Sequence, residues 1–561
     1  MKQQSAKRSV FKKLALAAVS AVMFLTVFSA AGCNGPKIVD DPLVLNVKLY
    51  KAGYGDNHYR MMFKAFEQTY KSEGYKVNIV ESNSTILFHD VSNELALGNK
   101  NGVDMYFTGN LSAYSLVVYS LEQNFQLVEE LSDVINAYPI KSNGEAETQK
   151  TVLQKCDPFI RTHLQYNGSE PEYAGKYLMM PIHSSPNSFV VNTAALAKFS
   201  LPIPVTTDEL LHGVNVIAGS LSTANKTYPV AWAGNNALNY WWAAEDQWAA
   251  QYDGYENYVQ WTSMEGFADP RDAKSVYDRQ GFLHSLTVMD TLLNLDYAPP
   301  GTVNMMHGNA QHYLMTGQAA YMVNGSWLQN EMISNYSQYI NDIQMIPAPI
   351  ISALGVKLEL DGNGGADKVK TDQILSSVVK QIDAGADNAA IKAKISTDFS
   401  VTLSDDQIDG VRDARNIYYN RGISDQALVN NYSKKKDIAK LLLRYMASDD
   451  SSLLFQTYAN AISAYMPNTP LSNDGLSPFM VSVKKLVNSP DSVGINRSYP
   501  GESLRNKVAL EYFPGSGSSI EKTMASSNGS ITGASVWAKC VTTLASGPTS
   551  WNTILTNNGI I

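Results

Sequence analysis

Between residues 43 and 110 the chain alternates strand signals with helix signals, and no other feature narrows the possible folds as much. Residues 43–49 (LVLNVKL) alternate apolar and polar side chains, the pattern of a strand with one buried face. Residues 58–70 predict an amphipathic helix, with Met61, Met62, Phe66 and Tyr70 on or near one face. Residues 76–80 predict a second strand, 91–97 a second helix, and 102–107 a third strand ending in Thr108-Gly109-Asn110. That order predicts an α/β fold in which a mostly parallel sheet is flanked by helices and functional side chains gather past the carboxyl ends of the strands. Tyr54, Thr108 and Asn110 all lie just past such ends.

Residues 177–191 (YLMMPIHSSPNSFVV) predict a strand broken by Ser184-Ser185-Pro186 and then resumed. A capped helix entry follows at Thr206-Thr207-Asp208-Glu209, and a further helix at 281–295. Residues 310–314 lead through Gly317 into a short strand, 319–323, after which Asn324-Gly325-Ser326-Trp327 opens another helix. Residues 354–425 are polar, with two helix-like pieces at 371–384 and 404–419. At their start, Asp361, Asn363 and Asp372 stand where a calcium loop has its first, third and twelfth oxygens. Gly365 replaces the acid at position five and Ala366 the turn glycine at six, so the segment reads as a turn between surface helices.

Residues 1–32 predict a secretory signal. Lys2, Lys7, Arg8, Lys12 and Lys13 precede an apolar run, 14–28, too short to span a bilayer comfortably, and Ser29-Ala30-Ala31-Gly32-Cys33 follows. This ending is similar to the lipobox of bacterial lipoproteins, with Cys33 as the lipidated first mature residue. The usual leucine three positions before it is Ala30 here. An ordinary signal-peptidase site or an uncleaved anchor is the alternative. A diacyl modification would anchor the chain stably, and residues 33–42 would serve as a tether. Beyond residue 32 no long apolar span occurs. The signal carries five basic and no acidic residues, so the mature chain has 39 basic against 52 acidic, a net of −13. No basic cluster suggests nucleic acid; Lys434-Lys435-Lys436 reads as a solvated helix start. About 530 mature residues exceed one core and predict at least two lobes. Cys156 and Cys540 remain, and sequence does not show whether they pair.

Residues 239–254 (NYWWAAEDQWAAQYDG) hold Trp241, Trp242 and Trp248 beside Tyr240 and Tyr252. On a helix Trp241, Trp248 and Tyr252 share one face. Such a stripe either packs a core or lines a cleft where flat rings stack on a ligand. Glu245 and Asp246 within it would either accept hydroxyl protons or face solvent.

Three segments carry a family resemblance: Gly317-Gln318-Ala319-Ala320-Tyr321-Met322-Val323-Asn324-Gly325-Ser326-Trp327; Met180-Pro181-Ile182 with Phe189-Val190-Val191-Asn192-Thr193; and 437–445 (DIAKLLLRY) continuing through Gln456, Ala464 and Pro467. In this order they resemble the bacterial extracellular solute-binding proteins of the family 1 type, the maltose-binding-protein-like carbohydrate receptors of ABC importers. The resemblance covers most of the chain except 354–425. It implies a two-lobe periplasmic-binding-protein-like fold (type II), with crossovers near 182–186, 305–317 and 425–435. Lobe 1 would comprise 43–183 and 305–433, with 354–425 inserted, and lobe 2 would comprise 184–304 and 434–561. It also implies a carbohydrate ligand, an oligosaccharide, held reversibly between the lobes. The partners would be ABC permease subunits and, through the lipid alone, the outer face of the bacterial cell membrane. The protein would be a monomer without cofactor or metal, and would not be an enzyme.

A sugar offers a C–H face to aromatic rings and a hydroxyl rim to polar groups. On family position, Trp241 or Trp242 with Trp327 would meet it; Trp248 and Tyr54 are further aromatic candidates, and Asn110, Ser184, Ser185, Asn235, Asn324 and Ser326 polar ones. Asn324-Gly325 also reads as a plain turn, with Ser326 capping the next helix. No G-x-S-x-G, H-E-x-x-H, G-x-x-x-x-G-K-[ST] or C-x-x-C motif occurs, and His307 and His312 stand five apart, a poor metal spacing. A same-fold receptor for a non-sugar solute, a glycan-active enzyme and a surface sensor are the rivals. An anionic solute would want a basic cleft, and residues 239–257 hold neither Lys nor Arg.

Overall fold

The first strand forms where apolar residues alternate, and Leu45, Val47 and Leu49 are fully buried along it. The computed structural model describes residues 37–557 except 52, 110, 112, 123–125, 167–169, 222–225, 236–239, 264–268, 270, 273–277, 423–424, 490, 497–523, 528 and 546–549. The expected signal, Cys33 and Asn110 lie outside the described residues.

In chain order the strands are β1 (Val44–Tyr50), β2 (Lys76–Asn83), β3 (Met105–Thr108), β4 (Met180–Pro181), β5 (His183–Ser184), β6 (Pro186–Asn192), β7 (Tyr228–Val230), β8 (Ala319–Gly325), β9 (Ile343–Ile346), β10 (Ile417–Asn420), β11 (Gln426–Val429), β12 (Ile462–Ser463) and β13 (Val493–Ile495). One sheet runs β2-β1-β3-β11-β4 and the other β13-β10-β6-β8-β7, with β9 also on β6; β5 and β12 form a separate ribbon. β1 is parallel to β2 and β3, as the strand–helix alternation predicts. The sheets are nevertheless mixed, not mostly parallel. β11 returns antiparallel to β3, and β6 is antiparallel to β8, β9 and β10. The reason is connectivity, since β6 and β11 follow directly on segments that pass from one sheet to the other.

Those passages lie between β4 and β6, between β10 and β11, and around β12, whose partner β5 belongs to the first passage. The first lies at 182–185 and the second at 421–425. The expected crossover at 305–317 is corrected: 307–315 is a helix, and the strand after it, β8, pairs with β6 and β7. Residues 305–420 therefore go with the second sheet. Residues 434–460 go with the first, because their helices pack on the helix that follows β1.

The helices that matter for the site are α1 (Asn57–Thr69), α2 (Trp241–Asp253), α3 (Gln280–Leu292), α4 (Leu328–Tyr336), α5 (Lys368–Asp383), α6 (Asn388–Phe399), α7 (Asp405–Asn416), α8 (Lys436–Met446), α9 (Asp449–Ala459) and α10 (Gly533–Ala545). α1 buries Tyr59, Met62, Phe63 and Phe66, and α8 and α9 cover it. On the other side α2 is enclosed by the second sheet, α3 and α7, and α10 lies outside α3. A helix with neighbours all round has no solvent face to keep polar, and every residue from Trp241 to Gln251 is buried.

Within 354–425 three long helices, α5 to α7, precede β10 where two were expected, after a short helix at Ala353–Lys357. α6 is the unexpected one, because only Ile391 and Ile395 anchor it. Residues 417–419 are strand, not helix. The calcium-like loop is a turn built on Asp361, whose carboxylate accepts the backbone N–H groups of Asn363, Gly365 and Asp367 at 2.8–2.9 Å. Cys156 and Cys540 are both free thiols.

Candidate functional site

Four chain segments end at one place between the two sheets: the loop after β1, the passage through β5, the turn after β8 and the loop after β10. A cavity of about 240 Å³ opens there. Tyr50, Tyr54, His58 and Tyr59 line one side, Tyr240, His307, Trp327 and Glu331 the other, and Ile182, His183, Arg421 and Asp425 the base. It lies past the carboxyl ends of strands, where open α/β sheets bind their ligands.

The loop after β1 reaches across to the turn after β8. The Tyr54 hydroxyl lies 2.6 Å from Ser326 Oγ and 3.3 Å from Ser185 Oγ. Burial pushes the Tyr54 phenol up to about 12, so it stays protonated. Gly53 has φ +40°, and a Cβ there would stand 2.7 Å from Trp327 Cβ. The absence of a side chain thus lets the two halves meet. Ser185 Oγ is 2.6 Å from His183 Nδ1, and His183 Nε2 is 3.2 Å from Asp425.

Trp327 is flanked edge-on by Tyr240 at 5.3 Å, and its six-membered ring lies against Gly325, where a Cβ would come within 2.3 Å. The Arg421 guanidinium lies 5.8 Å from the Trp327 ring and 5.7 Å from that of Trp242. Glu331, in the first turn of α4, accepts a hydrogen bond from Gln311 at 2.6 Å, and burial holds its carboxyl above the usual range. His58 has no partner on either ring nitrogen among the described residues, and burial, helped by His183, drives it down to about 3.

Of the residues expected from sequence, Tyr54 and Trp327 line the cavity, Ser185 and Ser326 hold Tyr54, and Trp242 backs Arg421. The others lie elsewhere. Trp241 and Trp248 are 1% and 0% exposed; they pack on Phe189, and Trp248 donates its indole N–H to the Pro349 carbonyl at 2.9 Å. As ligand-stacking residues they are corrected to core residues. Glu245 and Asp246 are buried in the same helix. Ser184 is buried, donating to Asp157 and accepting from Asn420. Asn324 is buried and accepts the Gly325 N–H, but both residues belong to β8, paired with Ser188 and Asn187, so the turn reading is corrected to strand and the turn begins at Ser326; Ser326 does not cap α4. Asn235 is exposed on the turn beside Met305 and Met306. Sequence reasoning missed Arg421, Asp425, Glu331 and His183. Arg421 and Asp425 stand just after a strand that was read as helix, which hid their position past its carboxyl end.

The chain matches the family of bacterial extracellular solute-binding proteins over residues 61–480. It belongs to that family. No curated protein matches this solute-binding protein. Its fold is that of several solved structures. One comes from work on xylan utilization by the thermophilic bacterium Caldanaerobius polysaccharolyticus, with TM-score 0.54 and 14% identity over 89% of this chain and 99% of that one. A chitin oligosaccharide binding protein gives TM-score 0.53 and 12% identity over 88% and 97%. The bacterial solute receptor AcbH, described as preferring β-D-galactopyranose, gives 0.52 and 11% over 89% and 97%. The family is one of binding proteins, extracellular by description. Among the described residues no helix is long and apolar enough to cross a membrane, and no group of three or more His, Cys, Asp or Glu is placed to hold a metal.

Proposed function

We propose that this solute-binding protein is the carbohydrate receptor of an ABC importer. It would hold a sugar reversibly between its two lobes and present the closed form to a membrane permease. The observation that carries the reading is the cavity itself, where the rings of Trp327, Tyr240 and Tyr54 stand beside the polar groups of Arg421, Asp425 and Glu331. Flat rings suit the C–H face of a pyranose, while charged and amide groups suit its hydroxyls. The sugar-binding descriptions of structures sharing the fold support the same class. At about 240 Å³ the cavity falls just under the ~300–1,000 Å³ of typical small-molecule pockets. We therefore infer one or two sugar rings, the short end of the oligosaccharide range.

The protein acts as a monomer tethered outside the cell by lipid on Cys33. Loss of palmitate labelling in Cys33→Ser supports the anchor, and labelling that persists in that variant rules it out. The sugar reading is tested by thermal unfolding of the mature protein against mono- and disaccharides. A sugar at a hundred times its Kd stabilises the folded state by about 2.7 kcal/mol, which raises the midpoint measurably. If no member of the panel raises the midpoint, the carbohydrate assignment fails.

A further inference from the structure

Arg421 is the cation at the base of the cavity, and its surroundings fix it in place. Its backbone N–H donates to the Ser185 carbonyl at 2.9 Å, and its guanidinium lies between the rings of Trp242 and Trp327. Among the described residues no carboxylate lies within ion-pair distance of it, and its guanidinium N–H groups have no hydrogen-bond partner. The indole N–H of Trp242, beside the same guanidinium, also lacks an acceptor among them. The two acids of the cavity are engaged elsewhere, Asp425 by His183 and Glu331 by Gln311. What remains is a flat, oriented fork of donors on the lining of the cavity, with no ion-pair partner among the described residues.

We propose that the solute is an acidic sugar, one carrying a carboxylate as a uronic acid does, and that Arg421 selects it. The inference rests on reading the cavity as a sugar site. Guanidinium meets carboxylate through two parallel N–H···O bonds, and stacking on aromatic rings pre-orients the fork, so little freedom is lost on binding. The negative net charge of the chain does not oppose this. Exposed charges farther off than about 8–10 Å are largely screened at physiological salt, whereas a partly buried pair in the cavity is screened much less.

The test is calorimetry on the mature protein with D-galacturonate and D-glucuronate, their neutral counterparts D-galactose and D-glucose, and the disaccharides of each. At least one acidic sugar is expected to bind about tenfold or more tightly than its neutral counterpart, about 1.4 kcal/mol. In Arg421→Gln that ratio is expected to fall to within about threefold, with Arg421→Lys between, because lysine keeps the charge and loses the fork. Neutral sugars that bind as tightly as the acids, or a preference that survives Arg421→Gln, would overturn the proposal and leave the sugar reading standing. Binding by none of the probes overturns both. If Arg421→Gln does not fold, the wild-type ratio decides alone.

Discussion

Two sets of indoles in this protein look alike in sequence and lie in opposite settings, one in the core and one on the cavity lining. Trp241 and Trp248 sit on a regular helix among alanines, and both are sealed against the second sheet. Trp327 sits in a turn at a strand's end, partly exposed, with its ring on Gly325 and the cavity before it. Trp242 is intermediate, a helix residue whose ring reaches Tyr419 at 4.7 Å and Arg421 beyond. The contrast teaches that placement relative to strand ends, not aromatic density, marks the cleft. A helix surrounded by other elements spends its aromatic residues on packing.

The sharpest way to break this contrast is to remove one indole from each set. Trp248→Ala empties a fully buried site and frees the Pro349 carbonyl from its donor. It should cost about 3–5 kcal/mol of stability, seen as a large drop in the unliganded melting midpoint or as failure to accumulate. Trp327→Ala should instead lower affinity for a bound sugar about 10- to 100-fold by calorimetry, roughly 1.4–2.8 kcal/mol, with a far smaller change in the unliganded midpoint. If the two variants lose stability and affinity in the same proportion, the division between core and cleft is wrong.

The alternating residues of β1 and the amphipathic α1 were legible because burial on one face leaves a period in the sequence. The break at Ser184-Ser185-Pro186 was legible because proline and small polar residues interrupt an apolar run. The partition of the chain between sheets was not, because β8 reads as a strand whichever sheet receives it and only its pairing with β6 decides. The cavity lining was legible where a local rule applies, as for Tyr54 and Trp327 past strand ends. It was illegible where the neighbours are remote in sequence. Arg421 meets Trp327 and Trp242 only after the insertion has folded back, with Arg415 joining Asp383 and the Ala348 carbonyl.

A smaller effect sharpens the comparison from the first sheet's side of the cavity. His58 lies against Tyr59 and Phe455, at 4.1 and 4.8 Å, and is held neutral first by burial and then by His183, with Asp56 opposing. Its folded pKa is depressed to about 3, from 6.5 in the unfolded chain. Between those values the unfolded chain binds the proton and the folded one does not. The contribution is therefore fully present above about 6.5 and is lost as pH falls toward about 3, at up to about 1.4 kcal/mol per pH unit. Phenylalanine fits the same aromatic surroundings and has no proton to bind. His58→Phe should leave stability at neutral pH nearly unchanged and flatten its decline on acidification, measured by denaturant unfolding across that window. Wild-type and variant curves that fall in parallel would mean that the imidazole is charged or solvated in the folded state, and that this wall of the cavity is wetter than the sealed face around Trp248.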